Sequence, residues 1–386
     1  MAYHTTPYLL LFLPAALLFY QITPAKWRSY TLLIFSYLFF WSFSEKLIIY
    51  LIGTTFLTHH ICIWMDTMDK RDKRKKRVLQ LGIFLLLGTI LCLKYRNFFF
   101  GNVSKLAMAL HIDWSYQDQL IFLPIGISFY TLSAIGYMAD VYWGKVKAEY
   151  SLVKTALFLG FFPVIVEGPI CRWEDVEDTL FKNESVKAEN VFKGCYRIIW
   201  GLFKKMIIAD RLAVLVDKVY VGYESYSGAV IVAAAISYTI QLYMEFSGCM
   251  DMVIGSAGLF GIRLPENFSQ PFLAKSCTDF WKRWHITLGV WFKNYIFYPV
   301  SISKTARKWN KFTRKHFKGD FGKYVARMGI AAMALFPVWI SNGLWHGPKW
   351  NYIFYGLYYF GLIFMGLALE PVRDRILAVL HINPEC

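Results

Sequence analysis

The chain has 386 residues, of which 56% are hydrophobic, 19% aromatic and 18% charged. A soluble domain carries about 25% charged residues, so this composition excludes an ordinary water-solvated globule. The net charge of +16, from 42 Lys and Arg against 26 Asp and Glu, falls in loops between apolar runs, which sets nucleic-acid binding aside.

Crossing about 30 Å of hydrocarbon takes about 20 mostly apolar residues in a helix, and only helices or closed barrels satisfy their backbone there. The apolar runs here are continuous rather than alternating, which predicts helices. In chain order they cover residues 8–20, 30–43, 47–64, 78–93, 120–137, 152–166, 194–208, 227–246, 328–345 and 353–369. Shorter runs at 98–110 and 252–260 are interfacial or partly inserted candidates. The expected fold is all-α and polytopic, with about ten to twelve membrane helices in a single domain over residues 1–386. The first run has no cationic n-region and no small-residue cleavage site before Gln21, so it reads as a retained helix.

Two loops concentrate the positive charge. One holds Lys70, Arg71, Lys73, Arg74, Lys75, Lys76 and Arg77; the other runs from Lys304 to Arg327. Such loops mark the cytoplasmic side and meet anionic lipid head groups; recruitment of an acidic partner is the sharper alternative. Seven cysteines are scattered without a C-x-x-C pair, which suggests packing rather than a disulfide framework or a metal site. There is no phosphate loop and no H-E-x-x-H.

Three regions break the alternation of apolar helix and polar loop. In the first, Trp281, Trp284, His285, Leu288, Trp291, Phe292 and Tyr295 fall on one helical face. An interfacial amphipathic helix accounts for the aromatics and for Lys282, Arg283 and Lys293, but not for His285. The second is Ser341-Asn342-Gly343-Leu344-Trp345-His346-Gly347-Pro348. Pro337 is expected to kink the preceding helix and Gly347-Pro348 to stop it. Asn342 and His346, four apart, share a face, and a polar pair in an apolar helix is costly unless it meets protein or a watery cavity. With an ordinary pKa of ~6.5, His346 suits a general base acting on a hydroxyl; a structural histidine at a helix end is the alternative. In the third, Gly168-Pro169 puts Arg172 on a loop or a cavity wall, where a snorkelling arginine is the simpler reading.

Several segments together resemble the membrane-bound O-acyltransferases, especially the branch typified by the membrane component of bacterial alginate O-acetylation. They are Phe162-Pro163 to Arg172, Glu245-Phe246-Ser247-Gly248-Cys249-Met250-Asp251 and Leu264-Pro265-Glu266-Asn267-Phe268. Asp279-Phe280-Trp281-Lys282-Arg283-Trp284-His285 and Gly343-Leu344-Trp345-His346-Gly347 complete the set. The resemblance implies a helix bundle around a central funnel that narrows at a histidine. His346 matches the catalytic histidine and His285 the second recurrent one. Asn342 and Arg172 would help hold water, thioester or oxyanion, with Trp345, Trp281, Trp284 and Asp251 along the substrate path. No cofactor is expected to be tightly bound; the co-substrate is an acyl thioester, acetyl-CoA or an acyl carrier protein. The implied acceptor is an extracytoplasmic glycan or teichoic acid-like polymer, reached directly or through a partner acyltransferase, at a bacterial inner or cytoplasmic membrane. D-alanyl transfer to teichoic acid is the runner-up, followed by a transporter or a non-catalytic scaffold.

The sequence departs from the family pattern at two places. Related chains run further, and the polar stretch after Glu370 reads as an interspan loop. Tyr298-Pro299-Val300-Ser301 stands where alginate-type members have a glycine-rich turn, which argues against naming alginate. If 304–327 is cytoplasmic, the run 328–345 carries His346 ~27 Å away at 1.5 Å per residue. A kink at Pro337, a helix start within the basic segment or a thinned membrane would each bring it inward.

Overall fold

The computed structural model describes residues 2–69 and 72–381; Lys70 and Arg71 of the first basic loop, and Cys386, lie outside them. The described residues form helices and loops without a β-sheet. The helices are α1 (Leu13–Ile22), α2 (Arg28–Ser44), α3 (Ile48–Asp66), α4 (Lys73–Ile90), α5 (Arg96–Ala109), α6 (Ile127–Trp143), α7 (Leu152–Gly160), α8 (Trp173–Leu180) and α9 (Ala188–Leu202). They continue as α10 (Asp210–Val221), α11 (Gly228–Leu259), α12 (Cys277–Arg283), α13 (Ile286–Phe292), α14 (Tyr298–Ser301), α15 (Lys304–His316), α16 (Gly319–His346) and α17 (Trp350–Val379). Among the described residues, five helical stretches are long and apolar enough to cross a membrane: Ala25–Asp66, Lys73–Ala109, Gly228–Leu259, Gly319–His346 and Trp350–Val379. The chain is an all-α polytopic membrane protein, and it divides into two compact units. One comprises residues 1–90 and 122–269, the other 91–121 and 270–386.

The first unit is organised by aromatic packing and by close helix contact. Tyr8, Phe12, Phe39 and Phe162 meet ring to ring at 5.2–6.4 Å. The Tyr8 hydroxyl donates to Ser256 Oγ at 3.0 Å, and Tyr3 donates to the Phe162 carbonyl at 3.0 Å. On α9 and α11, Gly194 and Gly201 face Gly255 and Gly248; a Cβ added at Gly201 would lie 2.5 Å from the Gly248 carbonyl oxygen. Small residues let membrane helices approach this closely. Beside this seam, Asp251 is clamped by Arg197 Nε at 3.1 Å and Lys204 Nζ at 2.7 Å.

Two predicted spans are shorter than their apolar runs. The run 120–137 becomes helical only at Ile127, because Gly126 turns the chain at φ +78, where a Cβ would meet the Ile165 carbonyl oxygen at 1.8 Å. The run 152–166 leaves the helix after Gly160, where Pro163 cannot donate a helical hydrogen bond and the Phe162 amide turns to Ser36 Oγ instead, 3.0 Å away.

In the second unit α16 and α17 form the main pair. Helix α16 begins at Gly319, inside the basic segment, rather than near Met328, and it stays helical through Pro337. Its 28 residues extend about 42 Å. Lys323 and Arg327 therefore ride on the helix that carries His346. Helix α15 is fixed to its first half by Trp309, whose Nε1 donates to the Val325 carbonyl at 3.4 Å.

Candidate active site

His285 stands at a break that apolar periodicity does not reveal. Helix α12 is capped at its start by Ser276 Oγ, which accepts from the Asp279 amide at 3.0 Å, and braced at its end by Arg283 against Asp279 at 3.0 Å. Trp284 then runs extended, and His285 adopts φ 45 and ψ 53 before α13 begins. The single amphipathic helix expected through 281–295 is thus two short helices with a left-handed residue between them. That conformation costs a non-glycine residue roughly 1–2 kcal/mol and persists only where surrounding packing fixes it. Here the ring is 4% exposed. Burial, with His346 as the smaller cause, pulls the His285 imidazole down to about 3, so the ring is neutral near pH 7.

His346 is the last residue of α16, and Gly347 leaves it in extended backbone. A helix end leaves its last carbonyls without internal partners. Two are met from the segment Leu91–Tyr95, a π-helical turn before α5. Lys94 Nζ donates to the Trp345 carbonyl at 2.6 Å, and the Tyr95 hydroxyl donates to the Leu344 carbonyl. A cation at a helix C-terminus also opposes the negative end of the helix dipole. Around the imidazole, Tyr352 stacks at 6.1 Å and Tyr355 meets it edge-on at 5.6 Å. Gly343 lets α17 come this close: a Cβ there would lie 2.3 Å from the Tyr352 carbonyl oxygen.

Both histidines face one cavity of about 460 Å³, lined also by Trp281, Trp284, Asn342 and Trp339. Its walls are mostly side chains of α12, α13 and α16, and Lys282 and Lys293 are its cations. Trp345 connects the two imidazoles, with ring centroids 5.5 Å from His285 and 5.1 Å from His346. Trp281 packs edge-on against Trp339 and Tyr359 at 5.1 and 4.9 Å. Asn342 is buried, and its side-chain oxygen has no hydrogen-bond partner among the described residues. Leaving such an atom unmet costs about 1–3 kcal/mol, which a polar ligand in the cavity would recover.

Six of the eight residues singled out from the sequence therefore belong to this unit: His346, His285, Asn342, Trp345, Trp281 and Trp284. Arg172 and Asp251 belong to the other. Arg172 caps α8 and pairs with Glu174 and, at 2.7 Å, Asp175. Asp251 holds the Arg197 and Lys204 clamp. Sequence reading missed Lys94, Tyr95, Tyr352 and Tyr355. Only Lys94 carried a signal, as a cation, with Arg96, between the apolar runs 78–93 and 98–110. Exchanging Lys94 for Met is expected to destabilise the protein by about 1.5–3 kcal/mol, the worth of a charged hydrogen bond, with Lys94→Arg recovering part of it. Thermal unfolding in detergent reads this, and an unshifted midpoint for both variants would deny the capping role.

Residues 145–316 match the MBOAT, membrane-bound O-acyltransferase family. Over 370 residues the chain is 32% identical to the probable alginate O-acetylase AlgI of Pseudomonas putida, an alignment spanning 96% of this chain and 70% of that protein. The chain belongs to the membrane-bound O-acyltransferase family. It is a multi-pass O-acyltransferase, and the transporter and scaffold readings give way. This O-acyltransferase is also 28% identical over 408 residues to the peptidoglycan O-acetyltransferase of Helicobacter pylori, covering 96% of this chain and 70% of that one. It is 29% identical over 241 residues to the teichoic acid D-alanyltransferase of Bacillus subtilis, covering 61% and 56% respectively. Of the two histidines, His285 lies inside the family-matched segment and His346 lies beyond its end.

Proposed function

We propose that this O-acyltransferase moves an acetyl or other short acyl group from a cytoplasmic thioester to a hydroxyl of an extracytoplasmic polysaccharide, with His346 as the base. The carrying observation is the shared cavity in which His346, His285 and the unmet oxygen of Asn342 meet. The acceptor hydroxyl gives its proton to the His346 imidazole while its oxygen attacks the thioester carbonyl. A C–O bond forms, the C–S bond breaks, and the imidazolium returns the proton to the departing thiolate. An N–H of neutral His285 and the amide N–H of Asn342 would donate to the oxyanion formed on the way, which is where preorganised donors contribute most. The donor is acetyl-CoA or an acyl carrier protein, and no resident cofactor enters the reaction. Relatives named for alginate and peptidoglycan O-acetylation favour a glycan acceptor. The teichoic acid relative favours a second reading, D-alanyl transfer from a carrier-protein thioester.

The test is mass spectrometry of surface polymers from bacterial cells with and without the chain, fed isotopically labelled acetate. Labelled ester on a polysaccharide that disappears with the chain is the expected outcome. Loss of D-alanyl ester instead selects the second reading, and polymers unchanged in both respects refute each of them.

A further inference from the structure

We propose that a second cavity, in the first unit and lined by Glu167, Glu245, Lys205 and Cys249, is a subsite for a neutral, hydroxyl-rich sugar of the acceptor glycan. This rests on the acyl-transfer reading and names the acceptor's chemistry. The cavity measures about 380 Å³, within the range of about 300–1,000 Å³ of small-molecule sites. Tyr3, His4 and Phe43 supply rings along its wall, and Ile125, Val166 and Met252 apolar surface.

The polar groups are arranged to bind hydroxyls rather than charge. Lys205 Nζ is taken up by Glu245 at 2.5 Å and Asp210 at 2.8 Å, so its ammonium is already balanced. Cys249 lines the cavity beside Glu167. Glu167 keeps an open face while protein packs its other sides, and burial, then the Glu245 carboxyl, lifts it above the ordinary carboxylate range. Two carboxyls and one spent ammonium repel an anionic ring such as a uronate. They match the vicinal hydroxyls of a neutral one, whose apolar face suits the aromatic wall. A metal cage is not the alternative, since among the described residues no three His, Cys, Asp or Glu side chains converge to hold one.

The position within the unit agrees. The described basic residues Lys73–Arg77 come after the C-terminal end of α3, whereas Phe43 closes α2 beside the N-terminal end of α3. Those ends are separated by the 19 residues of α3, about 28 Å. With the basic end cytoplasmic, the Phe43 wall of the cavity lies nearer the opposite face, where a surface glycan is met.

Titration calorimetry of the full chain in lipid nanodiscs tests this with two probes, cellohexaose as the neutral oligosaccharide and hexameric mannuronate as the anionic one. Cellohexaose should bind the tighter by about tenfold or more, the equivalent of one hydrogen bond kept or lost. Glu167→Gln, which keeps the hydrogen-bonding shape, should retain that affinity, and Glu167→Leu should lose about tenfold. Glu245→Gln, which removes one negative charge while Asp210 still pairs Lys205, should narrow the preference against mannuronate. Tighter binding of mannuronate by the unaltered chain, indifference to Glu167→Leu, or binding of neither sugar overturns the subsite. Because binding is read without turnover, a chain that fails to transfer acyl groups can still bind cellohexaose. One that transfers them but binds neither probe sinks the subsite alone.

Discussion

Replacing His346 with alanine is expected to lower acyl transfer by about 10²–10⁴-fold, the range a positioned proton-transfer group contributes. The imidazole ends α16 with its ring between Tyr352 and Tyr355. The carbonyls of the preceding turn are held by Lys94 and Tyr95 independently of the ring. Truncation should thus remove the chemistry and leave the helix end in place. The measurement is transfer of labelled acetyl to polymer in membranes, with elution from a sizing column and thermal unfolding as controls for folding. His285→Ala should cost less in rate and more in stability, because that residue is buried in a left-handed turn and, in the proposed mechanism, would hydrogen-bond rather than exchange a proton. Wild-type transfer by the folded His346→Ala protein would end the catalytic assignment.

The second large effect concerns Gly343. Its position opposite the Tyr352 carbonyl, with Gly356 opposite the Trp339 carbonyl on the facing helix, puts α16 and α17 nearly backbone to backbone. Even alanine places a carbon 2.3 Å from an oxygen that belongs to the main chain and cannot rotate away. Helix α17 must shift, and overpacking of this kind costs about 1–3 kcal/mol, occasionally more. Tyr352 and Tyr355 move with α17, so Gly343→Ala should lose both thermal stability and transfer. Gly361, also on α17, has nothing within 4 Å of an added Cβ, and Gly361→Ala should change stability by no more than about 0.5 kcal/mol. Equal midpoints for the two variants would contradict the close approach.

Much of this was legible in the chain because lipid imposes simple rules. Apolar runs had to be helices, and α2, α3, α11, α16 and α17 lie where those runs are. Gly343-Leu344-Trp345-His346-Gly347 announced itself because small residues and a histidine inside an apolar run both demand a reason. The geometry gives one for Gly343 in the approach of α17. The hidden features were of two kinds. Local breaks such as that at His285 arise where tertiary packing overrides a periodicity that reads straight through them. Distant partners such as Lys94 and Tyr95 are about 250 positions from the carbonyls they meet, and no local pattern connects them. Arg172 and Asp251 illustrate the converse: polar residues conspicuous in an apolar setting, each with salt-bridge partners inside the first unit.

The π-helical turn at Leu91–Tyr95 has a consequence for how this enzyme tolerates change. Amine and phenol reach adjacent carbonyls of α16 from the end of that wider turn. A π-turn holds about one residue more than an α-turn, so removing one residue there can be absorbed by tightening to α. Removing one from the α-helical turns before it would instead rotate the rest of the helix by about 100° and swing both donors off their targets. Single deletions should therefore be tolerated in the π-turn and not in the α-helical turns before it. The spare residue of that wider turn is slack that lets the chain lose length without losing either donor.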